Sequence, residues 1–214
     1  FVASNVGMNL SDTAATNLMS GITNAPTING SNYKTFMLYL SKLTINQPVD
    51  LNDSNSNYAQ LEIANSSIDN ANQMTGSQNR QVAMAQENGN DTSGNGYNPG
   101  EVTLTNTATG TINLTGEETT GIYAKRGIIR NEGTISVGKK STAIYLVEDD
   151  RGPADGSKAA NDATGTIKLG ENSTGIFYKV NSAGTHTGTA GGVSNAGRIE
   201  STANNVTGIS IDNP

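Results

Sequence analysis

The chain has 214 residues with no cysteine, no tryptophan, five prolines and a single histidine, His186. Without cysteine there is no disulfide framework and no thiolate to act as nucleophile or metal ligand. In an exported chain of this length, that absence favours a bacterial exterior over a eukaryotic one. His186 lies in Gly184-Thr-His-Thr-Gly188 and reads as a solvated loop residue, because a metal site needs several ligands at fixed spacing. No apolar run approaches the roughly 18–20 residues that cross a bilayer as a helix. No amphipathic or apolar insertion segment is present either, so direct membrane insertion is not expected. Residues 1–10 lack the basic start and apolar stretch of a signal peptide. Cations are outnumbered, with 13 Lys and Arg against 19 Asp and Glu, and the net charge of -6 argues against nucleic acid as a partner. Hydrophobic residues make up only 34% of the chain, a level compatible with disorder unless those residues are ordered along the sequence.

They are ordered. One phrase recurs four times: Asn106-Thr-Ala-Thr-Gly-Thr-Ile-Asn-Leu to Thr120-Gly-Ile-Tyr, and Asn131-Glu-Gly-Thr-Ile-Ser-Val to Thr142-Ala-Ile-Tyr. It returns as Asn161-Asp-Ala-Thr-Gly-Thr-Ile-Lys-Leu to Thr174-Gly-Ile-Phe, then as Asn195-Ala-Gly-Arg-Ile-Glu-Ser to Thr207-Gly-Ile-Ser. A strand-sized phrase repeated every ~20–50 residues marks a stacked solenoid, a fold that presents long surfaces. Side chains alternate along a strand, so Ile112 and Leu114, Ile135 and Val137, and Ile167 and Leu169 are expected inward. Ile199 opens a fourth such pair that Ser201 breaks, and Asn113, Ser136, Lys168 and Glu200 point outward. A second strand after the Thr-Gly turn carries Ile122, Ile144, Ile176 and Ile209 inward. Gly110, Gly133, Gly165 and Gly197 read as tight corners with positive φ. The leading Asn106, Asn131, Asn161 and Asn195 are placed to form a side-chain ladder at the corner.

The first hundred residues use the same grammar less regularly. Phe36, Leu38 and Leu40 alternate, as do Leu43 and Ile45, Val49 and Leu51, Leu61 and Ile63, and Val82 and Met84. Asn70-Ala-Asn-Gln-Met reads as a brief helical turn, and there is no strong helix signal anywhere. The expected domain is therefore a single elongated all-β solenoid over 1–214, with less regular coils over 1–100 and regular ones over 101–214. The closing Ile209-Ser-Ile-Asp-Asn-Pro214 stops in mid-pattern, so the chain reads as a fragment of something longer.

Val49-Asp-Leu-Asn-Asp, Leu61-Glu-Ile-Ala-Asn-Ser-Ser-Ile, Gly76-Ser-Gln-Asn-Arg-Gln-Val-Ala-Met-Ala-Gln and Ser173-Thr-Gly-Ile-Phe resemble the passenger domains of large fusobacterial autotransporter adhesins. The resemblance covers roughly residues 35–214. It implies a right-handed parallel β-helix displayed at the bacterial cell surface, exported through the outer membrane by a C-terminal translocator barrel of the same parent chain. It also implies partners among host-cell glycans, protein receptors or other bacteria.

Candidate binding residues follow from the spacing between repeats. The gap from the end of one repeat to the next leading Asn widens from Tyr123–Asn131 to Tyr145–Asn161 to Phe177–Asn195. Segments 146–160 and 178–194 are therefore expected to protrude side by side, since solenoid insertions gather on one face that often binds ligand. The first holds the densest charge, Glu148-Asp149-Asp150-Arg151, which reads as a solvated acidic tip because it lacks the spacing of a calcium loop. Tyr123, Tyr145 and Phe177 form an outward aromatic ladder that suits either sugar stacking or stacking on itself. Asp149, Asp150, Arg151, Tyr145 and Phe177 are thus the expected ligand-binding set, with no catalytic residue, metal or cofactor. Adhesion is the leading function, and a structural stalk displaying a tip elsewhere is the alternative. A pore-forming toxin passenger ranks lower, as does a polysaccharide-degrading enzyme, because no convergent acid–base set is visible.

Overall fold

The computed structural model describes residues 2–4, 7–9, 37–39, 42–46, 48–52, 61–62, 67–86, 103–125, 127–148, 157–180 and 192–212. Every strand pair among them is parallel. The first strands are β1 (Val2–Ser4), β2 (Gly7–Asn9), β3 (Met37–Tyr39), β4 (Lys42–Ile45), β5 (Val49–Asp50) and β6 (Leu61–Glu62). A repeating triad follows: β7 (Ser67–Asn70), β8 (Gln73–Gly76), β9 (Val82–Gln86); then β10 (Thr103–Asn106), β11 (Thr111–Leu114), β12 (Thr120–Lys125). Three further triads are β13 (Ile128–Asn131), β14 (Thr134–Val137), β15 (Thr142–Glu148); β16 (Lys158–Asn161), β17 (Thr166–Leu169), β18 (Thr174–Val180); and β19 (Gly192–Asn195), β20 (Arg198–Glu200), β21 (Thr207–Asp212). Equivalent strands stack into a first sheet from β2 and β4 through β7 to β19, a second from β5 through β8 to β20, and a third from β6 through β9 to β21, while β1 pairs with β3. The described residues form no helix. The fold is a parallel β-helix with three strands per coil.

Register explains the core. Ile112 lies over Met74 and under Ile135, which lies under Ile167, and all four side chains are fully buried. Met84, Ile122, Ile144 and Ile176 make the matching column of the third sheet. Each buried aliphatic contributes roughly 1.5–3 kcal/mol by removal from water, but only because coils lie on both sides of it. Leu114, Val137 and Leu169 are buried as expected. Ile199 is only partly buried and Ile209 is 41% exposed, because β20 and β21 end their sheets.

Three local expectations need correction. Each coil has three strands, not two, and the leading Asn closes the extra one: Asn106, Asn131, Asn161 and Asn195 end β10, β13, β16 and β19. That strand carries a single inward aliphatic (Leu104, Ile129 and the smaller Ala159), too short an alternation to be read by period. Second, Asn70-Ala-Asn-Gln-Met is no helical turn; it joins β7 to β8 around the same corner.

Third, positive φ falls elsewhere. Gly127 is the one described glycine with positive φ, so Gly110, Gly133, Gly165 and Gly197 do not serve that purpose. A Cβ on Gly133 would collide with the carbonyl oxygens of Gly110 and Thr107, so glycine is required there by the closeness of the coil below. The left-handed residues are Arg80, Glu118, Lys140, Asn172 and Asn205, one at each turn into the third sheet, with φ between 54° and 63°. The turn recurs because four of those amides donate to the next coil: Arg80 to Glu117 O, Glu118 to Lys139 O, Lys140 to Glu171 O and Asn172 to Asn204 O.

Polar ladders line the two tight corners. Asn70 Nδ2 donates to Asn106 Oδ1 (2.8 Å), Asn106 to Asn131 (2.8 Å), Asn131 to Asn161 (2.7 Å) and Asn161 to Asn195 (2.7 Å). The first four are fully buried, so the ladder satisfies amides that would otherwise be costly to desolvate. At the other corner Thr119 Oγ1 donates to Ser141 Oγ at 3.0 Å, and the Ser141 amide donates to Ser173 Oγ at 3.0 Å.

Candidate functional site

The third corner, where the third sheet returns to the first, is where the coils differ. Only residues 126–127 separate β12 from β13, whereas 149–157 separate β15 from β16 and 181–191 separate β18 from β19. All three connections leave the stack at this corner, as the sequence spacing predicts. The segments expected to protrude, 146–160 and 178–194, begin and end within strands, and their central residues 149–156 and 181–191 lie outside the described residues. Residues 146–148 extend β15, 178–180 extend β18, and 158–160 and 192–194 already lie in the first sheet. Glu148 is consequently no part of an acidic tip: it is buried, and its Oε1 accepts the Ser157 amide at 3.4 Å, closing the base of the loop. Asp149, Asp150, Arg151 and His186 lie outside the described residues.

The aromatic strip flanks one side of this corner. Tyr123, Tyr145 and Phe177 share one register position on adjacent strands of the third sheet and are half-buried. Their ring centroids lie 5.6 and 5.0 Å apart, with planes at 89° and 86°. Such edge-to-face pairs add about 0.5–1.5 kcal/mol beyond area burial. The rings therefore turn edges and faces toward each other and present no common flat platform. Ser210 follows Phe177 in register and ends the strip.

On the other side of the corner the outer face of the first sheet is concave, a feature that sequence reasoning missed. One depression of about 490 Å³ is lined by residues that include Ile128, Arg130, Lys158, Ala160, Asp162 and Gly192. A second, about 570 Å³, continues along the stack through Asp69, Thr105, Arg130 and Glu132. Arg130 belongs to both. Its Nε and Nη2 donate to Asp162 Oδ2 at 3.0 and 2.9 Å, and Nη2 lies 3.9 Å from Glu132 Oε1. The hydrogen bonds to Asp162 and that carboxylate's charge raise the Arg130 pKa above its ordinary value, so its charge is fixed. Lys158 sits at the loop-side edge, exposed, with no ion pair among the described residues. The signal for this face was present as every second residue of the unread strand: Ile128 and Arg130, Lys158 and Ala160, Gly192 and Ser194.

No group of three or more His, Asp or Glu among the described residues is placed to hold a metal ion. Compared with known protein families, curated proteins and solved structures, the chain matches none.

Proposed function

We propose that this chain is part of a surface-exposed autotransporter passenger that acts as an adhesin, binding host-cell glycans or receptors or partner bacteria from a β-helix scaffold. The observation that carries this reading is the gathering of two long connections at one corner, flanked by an aromatic strip and by a concave charged face. Registered parallel coils hold these features at ~4.8 Å steps, so individually weak contacts sum through effective concentration. Localisation at the bacterial surface and export by a translocator barrel of the same parent belong to the same proposal and rest on the sequence resemblance.

A spacer is the second reading, and one observation favours it: the aromatic rings stack on one another, which stabilises coils without leaving a platform for a ligand. Binding of the folded chain to epithelial cells and to bacteria separates the two. An adhesin binds saturably, and shortening of 149–156 and 181–191 reduces binding at least tenfold while the thermal unfolding profile is retained. Absence of binding by the folded chain leaves the spacer. Release of new reducing ends or unsaturated sugars from polysaccharides would overturn both and return the chain to enzymes.

A further inference from the structure

The depression on the first sheet has a polarity of its own. Lys158 opens β16 and Asp162 directly follows its last residue, placing the two about 13 Å apart along the backbone at strand rise, with the Arg130 guanidinium turned toward Asp162. The loop-side edge is thus cationic and the far edge carries a hydrogen-bonding carboxylate, on a protein whose net charge is -6. Between the edges the floor is low. Ala160 is small, and a Cβ added to Gly192 would meet nothing within 4 Å. Ile128 supplies apolar surface. A volume of about 490 Å³ falls within the ordinary range of small-ligand sites, which are concave and carry a few placed polar groups.

The sheet also restricts what can bind. β13 and β16 are interior strands whose backbone groups are committed to parallel ladders on both sides, whereas β19 ends the sheet. A peptide cannot add as an extra strand over β13 and β16, because that mode needs an open edge. Recognition over these two strands must come from side chains, over an apolar floor, with a cation at one end.

We propose that this depression binds a carboxylate-bearing sugar of a glycan, with Lys158 facing the sugar carboxylate, Ile128 and Ala160 beneath the ring, and Arg130, Asp162 and Ser194 taking its hydroxyls. This names the ligand class within the adhesin reading and rests on it. Arg130 contributes as a pre-oriented donor, since its fork is held by Asp162 before any ligand arrives.

The test is calorimetric titration of the folded chain with trigalacturonate and with sialyllactose, against carboxyl-reduced trigalacturonate and lactose. At least one acidic probe is expected to bind at least tenfold more tightly than its neutral counterpart, with affinity falling as salt rises. Lys158→Ala should lose at least tenfold. Gly192→Phe should block the site by occupying open space without disturbing the fold. Lys139→Ala, at another corner, should bind as the parent does. Equal affinity for acidic and neutral probes would overturn the proposal, as would full binding by both Lys158→Ala and Gly192→Phe. Cell binding retained by a chain that ignores every acidic probe would sink the sugar proposal and leave the adhesin reading standing. Loss of both would sink both, whereas probe binding without cell binding would keep the site and remove the adhesin.

Discussion

The coil at 128–148 and the coil at 192–212 are written in the same grammar but live in different surroundings. In the first, Ile135 and Ile144 are fully buried, Asn131 gives and receives an amide hydrogen bond, and Ser141 bonds to coils on both sides. In the second, Val206, Ile209 and Ile211 are 37%, 41% and 59% exposed, and Asn195 only receives. Ser201, Val206 and Ser210 also occupy positions held in the neighbouring coil by Leu169, Ser173 and Phe177. Identical residues therefore carry different energies at different heights in the stack. A β-helix coil has no core of its own; half of what buries it is the next coil.

The comparison can be broken or sharpened by paired substitutions. The largest contrast is expected from Ile144→Ala against Ile209→Ala. The first removes a fully buried side chain inside a closed stack and should lower stability by about 2–5 kcal/mol. The second should stay below about 1 kcal/mol, because its side chain is partly in water already. Chemical denaturation of both variants checks this, and equal losses would refute the idea that neighbours set the energy.

Next comes Asn131→Ala against Asn195→Ala. Removing Asn131 leaves the buried Asn161 Oδ1 without its ladder donor, at about 1–3 kcal/mol, while Asn106 Nδ2 still reaches the Gly110 and Thr134 carbonyls. Asn195 is exposed and its loss frees one Asn161 donor that still reaches the Gly165 and Arg198 carbonyls, so the effect should be under about 1 kcal/mol. Native-state hydrogen exchange should localise the Asn131→Ala opening to the coils at 103–125 and 157–180.

Gly133→Ala against Gly208→Ala is a purely steric contrast. The first forces the Gly110 and Thr107 carbonyls apart, and about 1–3 kcal/mol of overpacking is expected. The second meets nothing within 4 Å and should leave the melting temperature unchanged. Lys140→Gly should go the other way, with a net gain of about 0.5 kcal/mol. It relieves about 1–2 kcal/mol of left-handed strain, and glycine's greater freedom when unfolded offsets part of that. Asn205→Gly should change little, since Asn tolerates this conformation.

The smallest effect is electrostatic. Glu118 accepts the Arg80 Nε hydrogen bond at 2.8 Å, and that bond and the Arg80 charge hold its pKa below the ordinary 4.5. Its contribution is thus present above the unfolded value and lost as pH falls through the lower folded value. Melting temperatures of the parent and Arg80→Ala should converge at the acid end of a titration between about pH 3 and 6. Both groups are exposed, so a difference of a degree or two is the most expected.

How much was legible follows from which signals repeat. Ile112 with Leu114 and Ile135 with Val137 alternate within one strand, so period alone found the second sheet. Asn106, Asn131, Asn161 and Asn195 recur at one place, so their ladder was also readable. The first sheet escaped because Leu104, Ile129, Ala159 and Val193 each have an asparagine, not a second aliphatic, two positions on. With it escaped the concave face, although Arg130 and Lys158 were in plain view. The aromatic strip was placed correctly, but the edge-to-face angles that close it as a platform depend on rotamers set by neighbouring rings.

What the sequence determined by itself was the axis: a repeating apolar phrase can bury its face only by stacking parallel copies, and glycine and asparagine fix where each copy bends. What the tertiary structure alone decided was which residues meet. Arg130 reaches Asp162 across 32 positions, and Gly133 is needed because of a carbonyl one coil below. Those contacts run along the stack, between residues a whole turn apart, and no local pattern encodes the distance between neighbouring coils.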